Sequence, residues 1–103
     1  MYKERQRLKK HRIERAMTYS VRKDFVRVLK QKAKKEARRL GDLFDEALNR
    51  HVFDKALYMD YGHKESHAYI VKRETIPKVK AQAFSEKKSI SYVVNRALER
   101  YLG

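Results

Sequence analysis

A stretch of alternating polarity at residues 17–23 (MTYSVRK) returns 50 positions later at residues 67–73 (HAYIVKR). Alternation of this kind is typical of a half-buried β-strand, because successive side chains point to opposite faces of the pleat. Tyr19 and Val21 then face inward in the first stretch, as Tyr69 and Val71 do in the second. The sequence therefore predicts two β-strands of the same design, and we expect them to pair with each other.

Two helix patterns follow each predicted strand. In the first half, a weakly apolar stripe follows Asp24, which we predict as its N-terminal cap, and a break at residues 37–39 separates it from a stronger stripe at residues 40–52. The second half repeats this plan, with Thr75 and Ser89 as predicted caps. Setting residues 17–53 against 67–103 without a gap gives eight identities, which indicates an internal duplication.

The balance of charge favours a polyanionic partner. The chain has 27 basic and 13 acidic side chains, a formal charge of +14, and seven of the basic ones lie within residues 1–15. We interpret residues 1–15 as a basic N-terminal arm, which is either a solvated extension or a phosphate-binding segment. Charge alone leaves DNA, RNA and an acidic membrane open.

Composition limits the remaining possibilities. The chain has no cysteine, which excludes disulfides and thiolate metal sites and fits a reducing cytoplasm. It also has no apolar run of membrane-spanning length, so we expect a cytoplasmic protein without a membrane partner. His63 and His67 have the spacing of a helical metal pair but lie in a predicted linker and strand, so we expect no metal and no other cofactor. The sequence has no phosphate loop or catalytic motif, so we expect no enzymatic activity.

The length suits one compact domain with four segments. These are the arm at 1–15, a first strand-helix-helix unit at 16–59, a linker at 60–66 and a second unit at 67–103. A unit of under about 40 residues cannot bury its own apolar faces. The two units are therefore expected to share a core.

The order strand, helix, helix, ending in the pattern S-x-S-x-V-V-x-x-A-L-E-x-Y at residues 89–101, resembles the ribbon-helix-helix family of DNA-binding proteins. The resemblance implies a mostly α fold with a two-stranded antiparallel ribbon that enters the major groove. It implies further that the two units form one intramolecular pseudo-dimer, as in the tandem single-chain members of the family such as the conjugation protein TraY.

A two-stranded ribbon fits a major groove about 12 Å wide, and one face of alternate side chains then meets the base edges. The alternation assigns three predicted base-contacting residues to each strand. Because the two sets differ, we expect an asymmetric DNA site. The predicted base contacts are Thr18, Ser20 and Arg22 from the first strand, and Ala68, Ile70 and Lys72 from the second.

The resemblance also places phosphates at the start of each second helix, where free N–H groups and the positive end of the helix dipole lie. The two serines there have plain helix capping as an alternative or additional role. The predicted phosphate contacts are Lys23, Leu40, Gly41, Lys87, Lys88, Ser89, Ile90 and Ser91.

The resulting expectation is a sequence-specific double-stranded DNA-binding protein that regulates transcription, with repression as its mode. An alternative is a relaxosome accessory protein that binds an origin of transfer in plasmid conjugation. Further copies of the same chain on DNA, and a relaxase or other DNA-processing protein, are the additional partners that these two functions suggest.

Overall fold

The computed structural model of the chain describes residues 14–55 and 57–103. Within these residues the fold is mostly helical, with one two-stranded antiparallel sheet and four helices. The basic arm lies outside the described residues except for Glu14 and Arg15, which belong to the first strand. The elements are β1 (Glu14–Arg22), α1 (Lys23–Glu36), α2 (Leu40–His51), β2 (Lys64–Lys72), α3 (Thr75–Glu86) and α4 (Ile90–Leu102).

The predicted pairing of the two strands is confirmed. β1 and β2 run antiparallel, and Thr18 lies opposite Ala68 at the centre of the ladder. Each strand begins three residues before its predicted start, so residues 64–66 of the predicted linker are part of β2. The longer strands follow from the pairing itself, which continues to Glu14 opposite Lys72 at one end.

The inner face of this ribbon rests on an aromatic stack. The ring of Phe44 lies almost parallel to that of Tyr69, with centroids 3.9 Å apart, and its centroid is 5.4 Å from that of Tyr19. Burial raises the pKa of Tyr69 to about 12, which keeps this phenol neutral. The apolar stripes of α2 and α4 complete the core with fully buried side chains, namely Leu43, Phe44, Ala47 and Leu48 from α2 and Val93, Val94, Ala97 and Leu98 from α4.

The turns between the two helices of each half have the same backbone conformation. Ala37 and Lys87 adopt left-handed conformations with φ of 52° and 55°, and each donates its N–H back to the preceding helix. This geometry ends α1 and α3 at positions 50 residues apart. The predicted break at residues 37–39 is therefore confirmed.

The predicted caps had mixed outcomes. Ser89 caps α4 by accepting the N–H of Tyr92 at 3.0 Å, as expected. The prediction for Asp24 was wrong, because it lies within α1 and its carboxylate binds the guanidinium of Arg22 instead. The prediction for Thr75 was also wrong, because its hydroxyl donates to Asp45 at 2.6 Å. In both cases a charged partner held the side chain away from the helix N–H groups.

A buried polar side chain on each second helix holds the end of one strand. Asp45 of α2 accepts the backbone N–H of Lys72 at the end of β2, at 3.2 Å. Asn95 of α4, 50 residues after Asp45, accepts the backbone N–H of Arg22 at the end of β1, at 2.9 Å. Each contact joins the helix of one half to the strand of the other, so the register of the ribbon and the position of the helices are coupled.

A buried ion pair joins the middle of α4 to the ends of α2 and α3. The guanidinium of Arg96 in α4 binds both carboxylate oxygens of Glu86 at 2.6 Å, and the two side chains are only 4% and 11% exposed. Arg96 also donates to the carbonyl oxygen of Val52 at the end of α2. The hydrogen bonds from Arg96 lower the pKa of Glu86 to about 2.

Replacing Glu86 by Gln is expected to lower the free energy of unfolding at pH 7 by about 3 kcal/mol, because it leaves the buried Arg96 without its counter-charge. The lowered pKa stabilises the fold above the ordinary value of 4.5, and this contribution is lost as the pH falls from 4.5 towards 2. The difference between Glu86→Gln and the unaltered chain should therefore shrink over that range in urea denaturation.

Glu36→Gln is the matched control, because Glu36 occupies the same place in the first half and pairs with Lys32 at the surface. It should change stability little at any pH. Equal effects of the two substitutions at pH 7 would contradict the role assigned to the buried pair.

Candidate nucleic-acid interface

The outer face of the ribbon is formed by side chains that point away from the core. Its centre is the Thr18–Ala68 pair, with Ala16 opposite Ile70 on one side and Ser20 opposite Ser66 on the other. Ile70 is 53% exposed although it lies between the buried residues Tyr69 and Val71. These six side chains are small or of medium size, so the face is narrow and open. They are Ala16, Thr18, Ser20, Ser66, Ala68 and Ile70.

Sequence reasoning missed Ala16 and Ser66. Both lie on the outer face, as far from the central pair as Ile70 and Ser20. They were missed because the strands were predicted to start at residues 17 and 67, one residue too late to include them. Continuing the alternation backwards by one step from Thr18 and Ala68 would have found both.

Arg22 does not extend from the outer face, and its predicted position there was wrong. Its side chain is 9% exposed, its Nη2 lies 2.7 Å from Oδ2 of Asp24, and its Nη1 lies 3.7 Å from Oε2 of Glu99. The guanidinium also lies over the rings of Phe25 and Tyr61, at 4.2 and 4.6 Å from their centroids. Two carboxylates and two aromatic faces make this conformation a stable one.

The segment that connects α2 to β2 covers the side chain of Arg22. Tyr61 covers one side of the guanidinium, and Gly62, with φ of 94°, lies beside its Nε. The carbonyl oxygen of His63 accepts the N–H of Lys23, which fixes the segment against the start of α1. Burial favours a lower pKa for Arg22, but the interactions with Asp24 and Tyr58 outweigh it, so the pKa is raised and the group remains charged.

At the other end of the ribbon, the predicted base-contacting residue Lys72 is accessible. Lys72 is exposed, and its backbone N–H, not its side chain, is bound by Asp45. Glu14, which pairs with Lys72 across the strands, is engaged by Arg39 at 3.3 Å. Lys72 is therefore the predicted base-contacting cation that the fold leaves at the surface of the ribbon.

The N-termini of α2 and α4 lie against opposite edges of the ribbon. Gly41 approaches β2 so closely that a Cβ atom there would overlap the carbonyl oxygen of Ile70. On the other edge, Ser91 takes the equivalent place and donates its hydroxyl to the carbonyl oxygen of Ser20 at 2.9 Å. The first N–H groups of a helix have no carbonyl partners within it, so each edge of the ribbon has the positive end of a helix dipole beside it.

The two helix ends differ in charge. α4 has no acidic residue in its first turn, and Lys87 and Lys88 before it are exposed. α2 has Asp42 in its first turn, where Arg39 binds both of its carboxylate oxygens at 3.0 Å. The start of α4 is therefore the more electropositive of the two. Three further predicted phosphate contacts have different surroundings. Lys23 is exposed at the junction of β1 and α1, Leu40 packs against the core, and Ile90 is exposed at the start of α4.

Comparisons with known proteins provide no identification. No protein-family model matches the chain, and no match was found among curated proteins or solved structures. Among the residues that the structure describes, no helix has both the length and the apolar character needed to cross a bilayer.

Replacing Gly41 by Ala is expected to lower the free energy of unfolding by about 1–3 kcal/mol, because the added methyl group overlaps the backbone of β2. The sign of this stability change is informative, because replacing Gly by Ala at an open helix position raises the free energy of unfolding by about 1 kcal/mol. Thermal or urea denaturation measures the difference.

Ser91→Gly is the matched control, because it removes the side chain from the equivalent place on the other edge. It loses the hydrogen bonds of the Ser91 hydroxyl with the Ser20 carbonyl oxygen and with the Asn95 side chain, and should cost about 1–2 kcal/mol without any steric effect. A stabilised Gly41→Ala variant would show that α2 does not approach β2 as closely as described.

Proposed function

We propose that the chain is a sequence-specific double-stranded DNA-binding protein that inserts the outer face of its β1–β2 ribbon into the major groove and acts as a transcriptional repressor. The observation that supports this most directly is the exposed ribbon with a helix N-terminus against each edge. Ribbon side chains can then reach base edges while the two helix ends meet the phosphates on either side.

The finer architecture that accompanies this proposal is a tandem ribbon-helix-helix fold, in which the two halves form one intramolecular pseudo-dimer. Three features support it, all at an offset of 50 residues: the Thr18–Ala68 pair, the left-handed residues Ala37 and Lys87, and the strand-end contacts of Asp45 and Asn95. An approximate twofold axis through the Thr18–Ala68 pair would relate them. One chain would then fill one DNA site.

The charge of the chain supports a polyanionic partner, and the small side chains of the outer face suit insertion into a nucleic-acid groove. The net charge is +14, and exposed lysines lie before α4 and at the end of β2. The outer face itself has no cluster of catalytic groups, so its small side chains suit contact with base edges better than chemistry on a substrate.

The tandem order favours a second candidate function, an accessory role at an origin of transfer in plasmid conjugation. Both functions use the same ribbon and differ in where the bound site lies. Footprinting on the plasmid or chromosome that encodes the chain separates them, because a repressor protects a promoter and an accessory protein protects DNA beside a nick site.

Selection of bound sequences from a random duplex pool tests the proposal. Enrichment of a defined duplex sequence is expected, with competition by single-stranded DNA much weaker than by the selected duplex. If about six phosphates are neutralised, log affinity should fall with log salt with a slope near −5. Absence of any enriched sequence would contradict the proposed function.

Replacing Lys87 and Lys88 together by Gln is expected to reduce the magnitude of the salt slope by about 2, because two phosphate contacts beside α4 are lost at about 0.9 each. Base preference in the selected site should not change, since these side chains do not reach the bases. Fluorescence anisotropy at several salt concentrations gives both quantities.

Lys55→Gln with Arg100→Gln is the matched control, with the same loss of charge. Arg100 lies at the opposite end of α4, about 15 Å from Ile90 at 1.5 Å per residue. Its exposed guanidinium is 3.9 Å from Asp54. Equal loss of salt slope in both double variants would indicate general charge attraction and not a contact beside the ribbon.

A further inference from the structure

We propose that the two ends of the ribbon recognise chemically different half-sites, one through thymine methyl groups and the other through hydrogen bonds. This inference rests on the proposed DNA-binding function and names the class of DNA that the site selects. The expected target is a non-palindromic duplex with thymines concentrated in the half-site beneath the Ala16–Ile70 pair.

The strand register is the basis of this inference. Considered strand by strand, the outer face shows no simple division, because β1 carries Ala16 with Thr18 and Ser20, and β2 carries Ser66 with Ala68 and Ile70. The pairing instead places Ala16 beside Ile70 at one end and Ser20 beside Ser66 at the other. The chemical difference therefore runs along the ribbon and not between its strands, so it coincides with the two halves of a DNA site.

The Ala16–Ile70 pair offers the bases no side-chain hydrogen bond, because neither side chain has a polar atom. Ile70 is 53% exposed, and Ala16 and Ala68 beside it are also exposed. Thymine carries the one methyl group that the unmodified bases present in the major groove, so it is the natural partner of such a surface. Burying that methyl group against Ile70 would favour thymine over cytosine at these positions.

The polar end offers hydroxyl groups. The backbone carbonyl of Ser20 already accepts hydrogen bonds from Ser91 and from Asn95, so the group that Ser20 can offer outward is its side-chain hydroxyl. Ser66 lies opposite and is exposed. Hydroxyl groups both donate and accept, so this end can bind any of the four base edges but gains nothing from a methyl group.

The charges at the helix starts beside the two ends of the ribbon also differ. The start of α4, with Lys87 and Lys88 before it, lies beside Ser20 at the polar end, whereas the start of α2, with Asp42 in its first turn, lies beside Ile70 at the apolar end. Phosphate attraction by the helix start is therefore weaker at the apolar end, where the nearby ribbon cation is the exposed Lys72. Base contacts there would come from Ile70 and from Lys72, and the methyl contact is the one that belongs to Ile70.

The experiment uses the duplex obtained by selection from a random pool and replaces thymine by deoxyuridine in one half-site at a time. Deoxyuridine keeps the pairing edge and loses only the methyl group. Each replacement beneath the apolar end should weaken binding roughly fourfold, the equivalent of removing one buried methyl group. Replacements in the other half-site should have no measurable effect.

Two matched substitutions that shorten outer-face side chains test which end of the ribbon contacts which half-site. Ile70→Ala should abolish the deoxyuridine effect in the sensitive half-site, and Ser20→Ala should leave that effect intact while relaxing base preference in the opposite half. Circular dichroism of both variants establishes that they remain folded. Both side chains are on the outer face, so neither substitution removes a core contact.

Equal deoxyuridine effects in both half-sites, or a palindromic selected sequence, would overturn this inference while leaving DNA binding intact. Persistence of the deoxyuridine effect in Ile70→Ala would overturn it as well. Failure to select any duplex sequence would instead contradict the proposed function itself, so the two failures are distinguishable.

Discussion

The pairing of β1 with β2 is the contact on which the rest of the architecture depends. It joins segments about 50 residues apart and closes a core that neither half could complete alone. Phe44 of the first half packs beneath strands from both halves, in contact with Tyr19 and Tyr69. Asp45 and Asn95 then fix the strand ends, so the same pairing that closes the core also determines which side chains face outward.

Most core positions are apolar in both halves, and the buried Phe25 and Thr75 are an exception. At other positions 50 residues apart, Gly41 corresponds to Ser91, Ser20 to Ile70 and Glu46 to the buried Arg96. Each of these three differences changes a contact: a close approach becomes a hydrogen bond, and a hydroxyl becomes an exposed sec-butyl group. A partly exposed carboxylate that pairs with Arg38 and Arg50 becomes a buried guanidinium that pairs with Glu86. Two halves of one chain can differ in this way at any position, which two identical chains in a symmetric dimer cannot.

The sequence predicted local structure well because its patterns are local. The alternation around Tyr19 and Tyr69 predicted both strands, and the apolar stripes predicted all four helices. The position of Arg22 could not be predicted, because it depends on Asp24, Tyr61 and Glu99, and the last of these is brought to it only by the fold. Ala16 and Ser66 were missed for a related reason: strand length is determined by the pairing partner and not by the alternation alone.

The most direct test of this account is the change in backbone amide chemical shifts when the folded chain is titrated with its selected duplex. The account predicts that the largest changes occur along residues 16–20 and 66–70 and at the starts of α2 and α4, with little change at the C-terminal ends of those helices. Largest changes in the segment between α2 and β2, with the ribbon unaffected, would contradict it.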